Sequence, residues 1–257
     1  MLKIERQKII SQELTKQGFV LVPSLGELLN CSEETIRRDL KEMEKDDKLV
    51  RTHGGAYLAE KYDKSTPVEL RKTQNHHIKE NLAEHAVSYI KDNEVIMLDS
   101  STTCLAVADA IIKRELSITL ITNSLAICDL CSERNANINL ICLGGAFRKR
   151  TSAFADPTTA EVLRGYHADK CFISCPKVTL EFGLSDNHIS EANVRRQMIN
   201  QSEKCFLIVD HTKFDMSANI PFEGLEKINY ILTDQRLSQN WERYVTQKKM
   251  TVRYLDY

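Results

Sequence analysis

Four polar clusters in the sequence could do chemistry, and each follows a short apolar run. Val95-Ile96-Met97-Leu98 leads into Asp99-Ser100-Ser101-Thr102-Thr103, and Ile118 to Leu120 lead into Thr122-Asn123-Ser124. Asn139 to Leu143 end at Gly144-Gly145, and Cys205 to Val209 end at Asp210-His211-Thr212-Lys213-Phe214. Free amides at a helix start, flanked by Ser and Thr hydroxyls, hold phosphate or another small anion. Lys213 would add a positive charge. The alternative for the first cluster is a Ser/Thr cap with no ligand, and for Lys213 a solvated surface lysine. A fifth cluster is cationic: Arg37, Arg38 and Lys41, followed by Arg51 and His53. It could meet nucleic-acid phosphate, or be a solvated helix face.

Alternating elements must position the first four clusters. Runs at 95–98, 118–122, 139–143, 170–173, 205–209, 230–232 and 251–255 read as strands, interleaved with helical patterns at 102–114, 124–134, 158–164, 188–202 and 238–248. This predicts an α/β domain built on a mostly parallel sheet, with any ligand beyond the carboxyl ends of its strands. The cationic cluster belongs to a different module. Ile4, Ile9, Ile10 and Leu14 mark a first helix ended by Gly18, and Ser24 is placed to cap a short second one. Ser32 caps a third, whose Ile36, Leu40 and Met43 share one face and leave Arg37, Arg38 and Lys41 outside. Residues 49–53 and 56–58 read as two short strands joined at Gly54-Gly55. These are the proportions of a winged helix-turn-helix that binds double-stranded DNA. Residues 1–60 carry 10 Lys and Arg against 11 Asp and Glu, so attraction to DNA must come from local placement, as in the net +2 of residues 35–41. The expected organisation is a winged helix-turn-helix at 1–58, a polar linker at 59–74 and an α/β sensor at 75–257.

Composition sets the bounds. The chain has 257 residues, 42% hydrophobic and 28% charged, with a net charge of −1, which fits a folded protein and not a disordered one. No apolar run approaches the roughly 18 residues of a membrane helix. The first residues lack the pattern of a secretory signal, so a cytoplasmic location with eight reduced cysteines is expected. Cys128-x-x-Cys131 has no second pair at zinc spacing and is expected to be core, as are Cys171 and Cys175. His76-His77 reads as a polar helix start. No metal and no cofactor is expected.

The run Ser32-Glu33-Glu34-Thr35-Ile36-Arg37-Arg38-Asp39-Leu40, with Arg51-Thr52-His53-Gly54-Gly55-Ala56 after it, resembles the DNA-binding signature of DeoR-type transcriptional regulators. The resemblance implies that Ser32, Thr35, Arg37 and Arg38 lie at DNA, that Asp39 orients an arginine or caps structure, and that His53-Gly54-Gly55 form the tip of the wing. The second half is similar to the sensor domain of these regulators, itself related to ribose-5-phosphate isomerase. That implies an effector site of Asp99, Thr102, Thr103, Asn123, Gly144, Gly145, Glu191 and Lys213, with Ser100 and Ser101 in the same loop and a phosphorylated sugar as ligand. Four positions depart from the family pattern: Ser101, Asp156, Ser174 and Lys177 stand where glycine is usual, and Asp156 would repel a phosphate if it faced the pocket. The expected function is a homo-oligomeric operator-binding repressor of carbohydrate metabolism. The rival is an isomerase fused to a DNA-binding module, with Asp99 or Glu191 as its base.

Overall fold

The structure is a computed structural model that describes residues 1–45, 49–58, 65–134 and 136–255. It divides into two compact units, Met1–His76 and His77–Tyr257.

In the first unit, α1 (Lys3–Gln17), β1 (Phe19–Leu21), α2 (Val22–Leu29), α3 (Glu33–Lys45), β2 (Val50–Arg51), β3 (Gly55–Tyr57) and α4 (Val68–Thr73) follow in order. The strands form an antiparallel sheet in the order β1-β3-β2. Ile10, Leu14, Leu25, Leu29, Ile36, Leu40 and Met43 close a core under it. Ser32 caps α3 as expected, its Oγ accepting from Thr35 N at 3.3 Å. Ser24 is not a cap. The second helix begins earlier, after Leu21, because Pro23 presets its first turn and Phe19–Leu21 are drawn into the sheet with Gly55–Tyr57. The expected linker also needs correction. Residues 59–64 of it lie outside the described residues, but 68–73 are α4, whose Val68 and Leu70 are buried. Two apolar residues are enough to seat this short helix despite the charged residues around them.

The second unit opens with α5 (His76–Val87), which His76-His77 do begin, then β4 (Val95–Leu98), α6 (Thr102–Lys113), β5 (Ile118–Thr122), α7 (Leu125–Glu133) and β6 (Ile138–Cys142). A hairpin of β7 (Phe147–Arg148) and β8 (Ala153–Phe154), α8 (Pro157–Leu163), β9 (Ala168–Ile173), β10 (Lys177–Thr179), β11 (Gly183–Asp186) and α9 (Ile189–Asn200) follow. The unit ends with β12 (Ser202–Ile208), β13 (Ile220–Glu223), β14 (Tyr230–Thr233), α10 (Gln239–Lys248) and β15 (Thr251–Tyr254). Seven strands make one parallel sheet in the order β15-β14-β12-β9-β4-β5-β6. Strand order reverses between β4 and β9, so the loops after these two strands border the crevice where such sheets take ligands. Strands β10, β11 and β13 form a separate antiparallel sheet.

Residues alternate between the sheet's two faces. Met97, Cys171, Ile173 and Leu207 enter one core with Trp241, while Ile96, Leu98, Phe172 and Phe206 enter the other. Apolar side chains on both faces are the reason these strands read as continuous hydrophobic runs. In the second core Phe206 stacks between Phe172 and Tyr230, with ring centroids 4.7 and 4.4 Å away. Phe206→Ala is therefore expected to cost about 3–5 kcal/mol of unfolding free energy, read as a lower urea midpoint at constant slope. A loss below about 1 kcal/mol would show that the stack is not a pillar of this core.

Candidate functional site

Two sets of residues come together, one in each unit. In the first, the third helix buries Ile36, Leu40 and Met43 and turns Ser32, Arg37, Arg38 and Lys41 outward, with Thr35 half-buried. Asp39 lies on the inner side at 2% exposure and accepts from Arg6 Nε at 2.6 Å and Nη2 at 3.1 Å. It orients an arginine of α1, pins α3 from behind, and keeps a carboxylate off the outer face. Arg37 donates to Glu33 Oε2 at 2.7 Å, an exposed pair one turn long. Arg38 and Lys41 have no ion pair among the described residues. Arg51 is less available than expected: its Nε donates to Glu44 at 2.7 Å and its backbone N to the same carboxylate at 3.0 Å, tying β2 to α3. His53 is exposed at the turn. A Cβ on Gly54 would collide with Thr73 Oγ1, so this glycine admits α4 and does not adopt positive φ.

The second set lies beyond the carboxyl ends of the parallel strands. Asp99, 1% exposed, ends β4. Its Oδ1 accepts from Ser101 N at 2.9 Å, and its Oδ2 from Ser174 N at 3.1 Å and Arg195 Nε at 2.7 Å. Arg195 also donates to Asp186 and lies 3.7 Å from Glu191. Glu191 accepts from Ser100 Oγ at 3.0 Å, Thr151 Oγ1 at 2.7 Å and Arg148 Nη1 at 2.9 Å. Burial pushes the Asp99 carboxyl up, but the Arg195 charge and hydrogen bonds from Ser101 and Cys104 outweigh it and hold the group below its ordinary value. Burial likewise opposes the Arg195 charge, and Asp186, Asp99 and Glu191 overcome it, leaving the guanidinium firmly protonated.

The other expected residues surround this cluster. Ser101 caps α6, accepting from Cys104 N at 3.0 Å, so its side chain completes a helix start and fills no crevice. Thr102 and Thr103 form the first turn, nearly buried. On the next strand end, Asn123 donates to Phe154 O at 2.9 Å while its buried Oδ1 has no partner among the described residues. Gly144 O accepts from Thr159 Oγ1 at 2.7 Å, and Gly145, at φ 126°, packs where a Cβ would strike Thr159 and Asp156. Asp156 is the cap of α8, accepting from Thr159 N at 2.8 Å; that bond, with the Thr159 hydroxyl, lowers its pKa. A helix start occupies this carboxylate. Lys213 stands after β12 with Nζ 4.0 Å from Asp210 Oδ2.

Sequence reasoning missed Arg195, Asp186, Arg148 and Thr151. Only Arg195 left a signal, four residues after Glu191 and so on the same helix face. Of the cysteines expected in the core, Cys128 is only half-buried; elsewhere, Cys142 is exposed. Cys131, Cys171 and Cys175 are buried, and desolvation pushes the Cys175 thiol up to about 12. Among the described residues, no group of three His, Cys, Asp or Glu is placed to hold a metal ion, and no helix is long and apolar enough to cross a membrane.

A family model of the DeoR-like helix-turn-helix domain matches residues 6–62, and one of the DeoR C terminal sensor domain matches residues 74–235. The chain belongs to the DeoR family. It is 31% identical to the HTH-type transcriptional regulator YulB of Bacillus subtilis, over 98% of this chain and 96% of that one. It is 31% identical to the HTH-type transcriptional regulator GolR of Listeria innocua, over 93% of each chain. It is 28% identical to the L-fucose operon activator of Escherichia coli K12, over 91% of this chain and 96% of that one. Among solved structures, ribose 5-phosphate isomerase A of Methanocaldococcus jannaschii is similar at 19% identity and a TM-score of 0.40, over 55% of each chain. The DeoR-family chain is a DNA-binding transcriptional regulator and not an enzyme. Asp99, the first candidate base of the isomerase alternative, is paired with Arg195 and held below its ordinary pKa, and Glu191 accepts from three donors.

Arg195→Met would leave Asp99 and Asp186 buried without a counter-charge. A loss of about 3–5 kcal/mol at pH 7 is expected. In the native protein Asp99 has a lowered pKa, so its contribution is present above the unfolded value of roughly 3.9 and is lost as pH falls through the folded value. The variant's deficit should therefore shrink in acid, where protonated carboxyls tolerate burial. Thermal unfolding from pH 7 to pH 3 checks this; a deficit independent of pH would reject the ionic account.

Proposed function

We propose that the chain is a cytoplasmic, homo-oligomeric repressor of a carbohydrate-metabolism operon, released from its operator by a phosphorylated sugar or related small anion. The observation that carries the DNA half is Asp39. With Asp39, the most buried acid of α3, locked onto Arg6, Arg38 and Lys41 remain outside with no ion pair among the described residues, on a helix fixed from behind. Ser32, Thr35 and Arg37 complete that face, and His53 and Gly54 form the tip of the wing. Arg51 stiffens the wing through Glu44, and DNA must compete with that carboxylate for it.

The effector half rests on the α6 start. The amides of Thr102 and Thr103 and the hydroxyls of Ser100 to Thr103 border the strand-order switch, with Asn123, Gly144, Gly145 and Lys213 on neighbouring strand ends and Asp99 and Glu191 as the charged floor. Relatives named for regulating sugar operons, such as the L-fucose operon activator of Escherichia coli, support a carbohydrate role. Repression is the simpler sign, since occupancy of an operator by itself blocks transcription. Twofold assembly would match paired half-sites.

Specific binding to upstream DNA should weaken steeply with salt, as released counterions require. Arg38→Ala should cost about 1–3 kcal/mol of operator affinity in anisotropy titrations if the side chain reads a guanine. Equal affinity in the variant would remove Arg38 from the interface. For the effector, sugar phosphates at millimolar concentration should raise the melting temperature, because a ligand of the folded state stabilises it by RT ln(1 + [L]/Kd). A flat screen would reject the sugar-phosphate reading while leaving DNA binding untouched.

A further inference from the structure

Lys177 and Lys213 come from different elements yet attend one turn. Lys177 opens β10, and its Nζ donates to Thr212 O at 3.0 Å and lies 3.3 Å from Met216 Sδ. Lys213 ends the short turn His211–Lys213, and among the described residues its one ion-pair approach is to Asp210, at 4.0 Å. A carbonyl and a thioether carry no charge, so Lys177 has no carboxylate within ion-pair distance among the described residues. Burial and the Lys213 charge together push the Lys177 ammonium below its ordinary pKa. Asp210 offsets part of this charge, but Lys177, tied to Thr212 O, and Lys213, the next residue along, leave two ammonium groups around one carboxylate, an arrangement that an added anion would stabilise.

The position of this pair along the sheet edge matters. Lys213 follows β12, Lys177 follows the loop after β9, and α6 follows β4, and these strands are neighbours in the order β12-β9-β4. Two strand spacings separate the Lys213 turn from the α6 amides, about 10 Å. That is the reach of an extended sugar chain bearing an anion at each end. On the far side of β4, the buried Asn123 Oδ1 without a donor is an acceptor left over for a ligand hydroxyl.

Resting on the reading of this edge as the effector pocket, we propose that the effector carries two anionic groups, a phosphate on the Thr102-Thr103 amides and a carboxylate or second phosphate on Lys177 and Lys213. Lys177 is then a specificity-determining residue.

Calorimetric titration of the full chain tests this with two matched pairs of probes. Glucose 6-phosphate is set against 6-phosphogluconate for a carboxylate end, and fructose 6-phosphate against fructose 1,6-bisphosphate for a phosphate end. At least one two-ended probe is expected to bind about tenfold tighter than its one-ended partner, the worth of one added charge-assisted contact. Lys177→Gln and Lys213→Gln should each bring that pair to within about twofold, and Lys177→Arg should keep the preference. Equal affinities in the native chain, or a preference that survives Lys177→Gln, would overturn the proposal while leaving the sugar-phosphate pocket standing. Absence of binding by all four probes would overturn both.

Discussion

The buried guanidinium of Arg195 is the constraint on which the sensor unit turns. It meets Asp99 at the end of β4, Asp186 at the end of β11 and Glu191 one turn back on its own helix. Taking these charges from water costs several kcal/mol for each ion, and only close geometry with further hydrogen bonds repays it. That geometry is met. Backbone amides of Ser101 and Ser174 complete Asp99, while Ser100, Thr151 and Arg148 complete Glu191. The cluster fastens α9, the β7–β8 hairpin and the loops after β4 and β9 to one another, and so fixes where the α6 amides point.

Asp99 is held ionised by its pairing with Arg195 and by donors on both of its oxygens. On the function proposed above, the site holds an anion beside this cluster instead of turning it over. A bound ligand shifts an equilibrium only by its differential affinity for two states, so the pocket must border something that moves. Gly145, pressed onto the start of α8, and the hairpin that carries Arg148 and Thr151 are the elements whose placement the ligand would share with the ionic cluster.

The DNA-reading unit uses the same device at smaller scale. One hidden acid, Asp39, holds one arginine and sets the rotation of α3 about its axis. The outward cations follow from that rotation. Arg37 and Arg51 are moderated by Glu33 and Glu44, so the face presents less than its full formal charge. Exposed pairs of this kind contribute little in water.

Much of this was legible in the sequence. Apolar runs such as Val95–Leu98 and Cys205–Val209 specify buried parallel strands, because a strand covered on both faces has no polar side to show. Ser32 before Ile36 and Leu40 specifies a capped helix with one inward face, since cap and period act over a single turn. Strand ends rich in Ser, Thr, Asn and Gly place the candidate pocket. What only the tertiary structure decided is pairing. Arg195 reaches Asp99 across 96 positions, and Arg6 reaches Asp39 across 33, with nothing local to announce either. The short antiparallel sheet of β10, β11 and β13, and the approach of Lys177 to the Lys213 turn, likewise follow from how distant segments fold back. Local signals fix the state of a backbone because they are settled within a turn or a strand; the partner of a charge is settled by which chain segments become neighbours, and that belongs to the whole fold.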